Sequence, residues 1–70
     1  MQDACNAIID EIIEARKSKG WSQKDLSAAC GITQSAIARL ETKKAVPQLD
    51  TLARIASALG CTISLSRADL

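Results

Sequence analysis

The sequence contains no histidine, phenylalanine or tyrosine, and Trp21 is its one aromatic residue. Without histidine, both histidine-based catalysis and His-ligated metal sites are excluded. With a single aromatic ring, a surface that reads single-stranded RNA by stacking bases on aromatic side chains is nearly excluded as well. Because 47% of the residues are nevertheless hydrophobic, we expect the chain to fold around an aliphatic core.

Paired cysteines and long apolar runs are also absent. The three cysteines, Cys5, Cys30 and Cys61, are odd in number and include no C-x-x-C pair, which argues against a disulfide framework. We interpret them as small core residues of a reduced protein, and a redox or metal role is the alternative. No stretch approaches the ~18 apolar residues of a membrane span, and acidic residues interrupt the first apolar run. We therefore expect a cytoplasmic, single-domain protein over residues 1–70 with no membrane partner.

Helical periodicity organises most of the chain and predicts an all-α fold. Apolar residues recur three and four positions apart, and glycine or proline separates the segments. The spacing predicts helices over about 3–19, 23–30, 34–41 and 49–59. The expected inward-facing residues are almost all small or aliphatic: Cys5, Ile8, Ile9, Ile12, Ile13, Leu26, Ala29, Cys30, Ile37, Leu40, Leu49, Leu52, Ile55, Ala56 and Leu59.

The start of the second helix carries several local signals. Ser22 is a good N-cap, and Asp25 can return a hydrogen bond as a variant capping box. Trp21 and Leu26 are spaced for a hydrophobic staple, which gives the lone aromatic residue a structural role. Gly31 then ends the helix as a left-handed residue.

Residues 31–33 separate two short helices and thereby predict a helix-turn-helix unit. Such a unit places its second helix in the major groove of DNA. With Ile37 and Leu40 inward, the outward residues of this helix are Gln34, Ser35, Ala38 and Arg39. Glutamine can pair with adenine, arginine with guanine, and alanine can contact the thymine methyl group. We interpret this face as base-reading, and an ordinary solvated face is the alternative.

Three stretches resemble the Cro/cI-type helix-turn-helix family, also called XRE. Residues 20–27, GWSQKDLS, resemble its "G-hydrophobic-S/T-Q-x-x-L-A" opening, and residues 31–41, GITQSAIARLE, resemble its turn and recognition helix. Pro47 with residues 51–60, TLARIASALG, is similar to its fourth helix. The resemblance covers about residues 9–60. It implies a compact, lambda repressor-like bundle of four or five helices that usually binds operator DNA as a dimer.

The resemblance also implies DNA contacts at individual positions. Gln23 matches a glutamine that binds a phosphate and supports the recognition helix. Gln34 and Ser35 match the leading base readers, and residues 42–44 match a loop that lies along the sugar–phosphate chain. The full set of implied DNA-binding residues is Gln23, Thr33, Gln34, Ser35, Ala38, Arg39, Thr42, Lys43 and Lys44.

Two further positions match a structural pair, whereas the residues after the glutamate, and more mildly Ser27 in place of an alanine, depart from the family pattern. Arg16 and Glu41 match a partly buried ion pair, which implies that the first helix is locked to the recognition helix. The family typically has Asn-Gly after the glutamate, whereas this chain has Thr42 and Lys43. A left-handed Lys43 would cost roughly 1 kcal/mol relative to glycine. A different path of the loop is the alternative.

From residue 61 onward the spacing of apolar residues changes from the helical three to four positions to every second position. Cys61, Ile63 and Leu65 alternate with polar residues, which predicts a strand over 61–66. A single strand needs a partner, and this tail resembles the carboxy-terminal strand of antitoxin-type members such as HipB, which pairs across the dimer. Ile63 and Leu65 are the expected dimer contacts. An irregular tail or a last helical turn is the alternative.

The formal net charge of +1 is unevenly distributed along the chain. Residues 1–15 carry four acidic and no basic residues, residues 16–54 carry eight basic and three acidic residues, and the tail is balanced. The helix-turn-helix section is therefore basic and its flank acidic, as a DNA-facing surface requires. Ordinary surface charge is the alternative.

Together these patterns indicate a sequence-specific regulator that binds double-stranded DNA. We expect a homodimeric repressor of a near-palindromic operator, and the short chain and its tail also fit the antitoxin of a toxin–antitoxin pair, with a toxin protein as second partner. A protein-interaction module that uses the same bundle without DNA is the alternative. No nucleophile has a base beside it, so we expect no enzymatic activity, cofactor or metal.

Overall fold

A computed structural model describes residues 2–64, with side chains from residue 6 onward, and this range contains four helices. They are α1 (Gln2–Ser18), α2 (Gln23–Cys30), α3 (Gln34–Glu41) and α4 (Leu49–Ala58), and residues 2–64 contain no strand. The predicted all-α fold class is therefore confirmed. None of these helices is long and apolar enough to cross a membrane.

The core receives one fully buried aliphatic side chain from each helix. These are Ile9 of α1, Leu26 of α2, Ile37 of α3 and Ile55 of α4. Burial of such a side chain contributes about 1.5–3 kcal/mol, so these four positions hold the helices together. The core is aliphatic, as the composition predicted, and Trp21 packs only at its edge.

Two residues predicted to face inward are exposed. Leu49 is 70% exposed. It is the first residue of α4 and lies about 60° around the helix from Leu52, at the margin of the buried stripe. Ala29 is also exposed, since it lies about 60° from buried Leu26 on the side away from Cys30. The interpretation of the cysteines was right for buried Cys30 and wrong for exposed Cys61, while the side chain of Cys5 lies outside the described residues.

The tail leaves α4 without forming a further element in the described residues. The Cys61 N–H donates to the Ala56 carbonyl at 2.8 Å, and residues 61–64 are neither helix nor strand. A strand needs a paired neighbour, and the described part of this single chain provides none. Ile63 is 38% exposed, and Leu65 lies outside the described residues.

Candidate nucleic-acid interface

The helix-turn-helix begins with the predicted capping box, which the structure confirms. The Ser22 hydroxyl accepts from the Asp25 N–H at 3.1 Å, and the Ser22 N–H donates to the Asp25 carboxylate at 2.9 Å. The Ser22 backbone N–H, and to a smaller extent the Ser22 side chain, favours the carboxylate and holds the pKa of Asp25 below its ordinary value. Trp21 is half-buried against the core, and the Lys19 ammonium lies 5.2 Å from the centre of its ring. The start of α2 is thereby fixed by both polar and apolar contacts.

The turn between α2 and α3 is held by hydrogen bonds from three directions. Gly31 adopts φ +73°, and its N–H donates to the Ser27 carbonyl at 2.9 Å. The Ser27 hydroxyl in turn donates to the Ile32 carbonyl. Arg54 of α4 donates from Nη2 to the Cys30 carbonyl at 3.1 Å. A Cβ at position 31 would lie 3.2 Å from that nitrogen, so both the backbone conformation and the available space favour glycine here.

The recognition helix α3 has one buried and one solvent-facing side. Thr33 caps it by accepting from the Ala36 N–H at 3.3 Å. Ile37 and Leu40 are buried, and Ala38 is half-buried between the two sides. The exposed polar residues of the solvent-facing side are Gln34, Ser35 and Arg39. These side chains are free to meet a macromolecule without disturbing the core.

One polar network joins α1, the start of α2 and the end of α3. Arg16 donates from Nε and Nη2 to the two carboxylate oxygens of Glu41, at 2.8 and 3.0 Å, and from Nη1 to the Trp21 carbonyl at 2.7 Å. Gln23 donates its side-chain amide to Glu41 Oε1 at 3.1 Å. The Arg16 and Glu41 side chains are only 10% and 6% exposed. We call these four residues the Arg16 junction, and it fixes the orientation of α3 relative to α1 and α2.

The segment that follows α3, residues 42–48, folds back on the helix. The Thr42 hydroxyl donates to the carbonyls of Ala38 and Arg39 at 3.0 and 3.1 Å. The Lys44 N–H donates to the Arg39 carbonyl at 3.1 Å, and the Lys44 side chain is exposed. These bonds satisfy carbonyls at the end of α3 and leave a basic segment beside the recognition helix.

Lys43 adopts the left-handed conformation that was one of the two alternatives for this position, where the family typically has glycine. Its φ is +62°, and its N–H donates to the Leu40 carbonyl at 3.0 Å. Its ammonium lies 2.8 Å from Asp10 Oδ1 on α1. The side chain therefore bridges the segment to α1 instead of standing free.

The implied DNA-contacting residues fall into two groups. Thr33, Thr42 and Lys44 are exposed alongside the exposed residues of α3, with the two threonine hydroxyls bonded to the backbone of α3 itself, whereas the side chains of Gln23 and Lys43 are held by the carboxylates of Glu41 and Asp10. Arg54 was not singled out from the sequence. It lies about 100° around α4 from Ile55, the nearest residue of the buried stripe, so the apolar pattern gave no signal that Arg54 reaches a carbonyl at the end of another helix. In the sequence, Asp10 is only one of the acidic residues of the first helix. Its ion pair with Lys43 was not predicted, because the two residues are distant in the sequence.

Comparison with known proteins agrees with this geometry. Residues 12–65 match a family model described as helix-turn-helix. An uncharacterized HTH-type transcriptional regulator of Haemophilus influenzae is 42% identical over 59 residues, which is 84% of this chain. This chain spans 60% of the length of that relative.

A solved structure extends the comparison to three dimensions. The chain aligns with a toxin–antitoxin module from Streptococcus pneumoniae at a TM-score of 0.76 and 45% identity. The alignment covers 94% of this chain and 73% of that one. With the family model matching most of the sequence, this chain belongs to the helix-turn-helix family of the Cro/cI (XRE) type.

Proposed function

We propose that the protein is a sequence-specific, DNA-binding transcriptional regulator that reads an operator with α3. The observation that carries the proposal is the solvent-facing side of α3, where Gln34, Ser35 and Arg39 are exposed on a helix held rigidly from behind. These side chains can hydrogen-bond to base edges in the major groove, and the small Ala38 leaves room for a thymine methyl group. The likeness to an HTH-type transcriptional regulator supports the same function.

Phosphate contacts from the surrounding elements would position α3 in the groove. The Gln23 amide donates one N–H to Glu41 and retains a second N–H for a phosphate oxygen. Thr33, Thr42, Lys43 and Lys44 are the further phosphate contacts that we propose. Such contacts set the register of the protein on the duplex, whereas α3 supplies the sequence preference.

We propose that the protein acts as a homodimeric repressor in the cytoplasm. Two recognition helices about 34 Å apart would read half-sites one helical turn apart. The tail supplies the proposed contact, because Ile63 is exposed and borders a groove of about 290 Å³ between α1 and residues 61–64. With Leu65, it would pair with the same segment of a second copy. Deletion from Thr62 onward should therefore yield monomers with weakened operator binding, and a truncated chain that stays dimeric would refute the pairing.

A role as the antitoxin of a toxin–antitoxin pair is a second proposal. It is favoured by the 45% identity to a chain of a toxin–antitoxin module over nearly the whole sequence. The product of the neighbouring gene should then co-purify with this protein and lose its toxicity in the presence of this protein. A neighbouring product that neither binds nor is neutralised would argue for a repressor without a toxin partner.

Selection of duplexes from a random pool tests the DNA-binding proposal. The wild-type protein should enrich one near-palindromic sequence at moderate salt. Gln34→Ala and Arg39→Ala should each relax the preference at one position of the half-site, at a cost of about 1–3 kcal/mol. Lys17→Ala, an exposed basic residue of α1, is the matched control for the loss of charge. Unchanged operator affinity in both α3 variants would instead favour a protein-interaction module.

A further inference from the structure

An ion pair joins the basic segment after α3 to the acidic helix α1. Lys43 Nζ lies 2.8 Å from Asp10 Oδ1, and the two side chains are 37% and 60% exposed. Exposed pairs of this kind contribute little to folding stability. The main effect of the pair is therefore electrostatic: the Asp10 carboxylate reduces the positive charge that Lys43 presents to a ligand at this surface.

The backbone at Lys43 strengthens this interpretation. A φ of +62° favours glycine, so a lysine at this position carries a steric penalty in the folded chain. The conformation nevertheless accommodates a side chain whose ammonium lies against a carboxylate of α1. The neighbouring Lys44 is exposed and forms no ion pair with any residue from 6 to 64. Two adjacent lysines of the same segment therefore differ in whether their charge is compensated.

We infer that Asp10 lowers the affinity of the protein for DNA phosphates by acting as an internal counter-charge on Lys43. The inference rests on the DNA-binding function proposed above. An ammonium has three donors, so a phosphate can still bind to Lys43, but it approaches a pair whose net charge is zero and a carboxylate that repels it. Because phosphate contacts carry no base information, Asp10 reduces binding to every duplex alike and leaves base reading by α3 unchanged.

A double-mutant cycle tests whether Asp10 acts through Lys43. The variants are Asp10→Asn, Lys43→Gln and the combination of the two. Affinity is measured on the selected operator and on a scrambled duplex of the same length, over a salt series. Glu14→Gln is the matched control, since it removes the same charge from an exposed position of α1 that has no ion-pair partner among residues 6–64. Thermal melting of each variant checks that the fold is retained.

Asp10→Asn should raise affinity for both duplexes about three- to fivefold near 0.1 M salt, where exposed charges are already partly screened. The slope of log affinity against log salt should steepen by about 0.9 for each additional phosphate engaged. Both effects should vanish in the Lys43→Gln background and be smaller in Glu14→Gln. In the wild-type background, Lys43→Gln should weaken binding less than Lys44→Gln does.

Three results would overturn the inference. An Asp10→Asn variant that behaves like Glu14→Gln would show that the position of the carboxylate is immaterial. A gain that persists in the double variant would show that Asp10 repels DNA without acting through Lys43. A wild-type protein that binds neither duplex at any salt would instead overturn the proposed DNA-binding function itself, and this inference with it.

Discussion

The Arg16 junction and the segment after α3 are neighbours in space that are held in opposite ways. At the junction, Arg16 makes three side-chain hydrogen bonds, and the Glu41 carboxylate accepts from two different residues. In the segment, Lys43 adopts a strained conformation and forms an ion pair that is open to solvent. The junction is therefore specified by buried side chains and the segment mainly by backbone hydrogen bonds.

This difference shows that the orientation of α3 has to be fixed more precisely than the position of the segment that follows it. Base reading requires that α3 be held in one orientation, and the junction is built on the last residue of that helix. Phosphate contacts tolerate more adjustment, since a lysine reaches a phosphate as a point charge on a flexible stem. The segment can accordingly carry strain and exposed charge without disturbing the helix that it follows.

Removal of Arg16 should disrupt the Arg16 junction, the more tightly held of the two regions. Arg16→Met leaves the Glu41 carboxylate buried without its cation and the Trp21 carbonyl without its donor, so we expect a loss of about 3–5 kcal/mol. Chemical denaturation measures it. Lys17→Met, one position along and exposed, should change stability by less than about 0.5 kcal/mol. An Arg16→Met protein within about 1 kcal/mol of wild type would mean that the junction does not hold α3.

Stability at the start of α2 should depend on pH through the capping box. Ser22→Ala should cost about 1 kcal/mol at neutral pH, because Ser22 caps the helix. The lowered pKa of Asp25 means that its contribution is fully present above its ordinary value of 3.8 and is lost as pH falls through the lowered value. Denaturation at a series of pH values should therefore show a shallower acid dependence for Asp25→Asn than for wild type, whereas Ser22→Ala keeps the backbone N–H that donates to Asp25 and should retain most of the dependence. Equal acid dependence in Asp25→Asn and wild type would contradict the assigned hydrogen bonds, and Ser57→Ala serves as the exposed control.

The strain in the segment after α3 can be separated from its ion pair. Lys43→Gln removes the charge and keeps a side chain at φ +62°, whereas Lys43→Gly removes both. The glycine variant should be more stable than the glutamine variant by about 1 kcal/mol. Thermal melts of the two proteins measure the difference. A glycine variant that is the less stable of the two would mean that the left-handed backbone carries no penalty here.

The smallest effect should come from an exposed leucine that the sequence pattern placed in the core. Leu49→Ala should alter stability by no more than about 0.5 kcal/mol, because Leu49 is 70% exposed. Leu52→Ala, one turn further along α4 and buried, should cost about 2–5 kcal/mol. Comparable losses in the two variants would show that Leu49 is covered in solution.

The sequence was informative wherever the governing interaction is local. The caps at Ser22 and Thr33, the left-handed Gly31 and the inward placement of Ile37 all follow from neighbours within about four positions, and each is present. Periodicity alone could not separate Leu49 from Leu52, because a helical pattern does not reveal where the packing partner of a helix ends.

Contacts between residues far apart in the chain were harder to predict. The junction followed only from the resemblance to a family, since nothing local links Arg16 to Glu41. The capping of α2 by Arg54 and the Asp10–Lys43 ion pair were missed, because both depend on how α4 and α1 are placed in space. The solvent-facing side of α3 could be predicted from its buried side, whereas its affinity for DNA depends on contacts that only a complex contains.

Backbone amide chemical shifts, followed during titration with the selected duplex, map directly which residues contact DNA. If α3 reads DNA, the largest changes should fall on residues 33–39 and 42–44, and the groove between α1 and residues 61–64 should be little affected by the DNA. Shifts concentrated in α1 or α4, or no shifts with any duplex at moderate salt, would contradict the claim that α3 reads DNA.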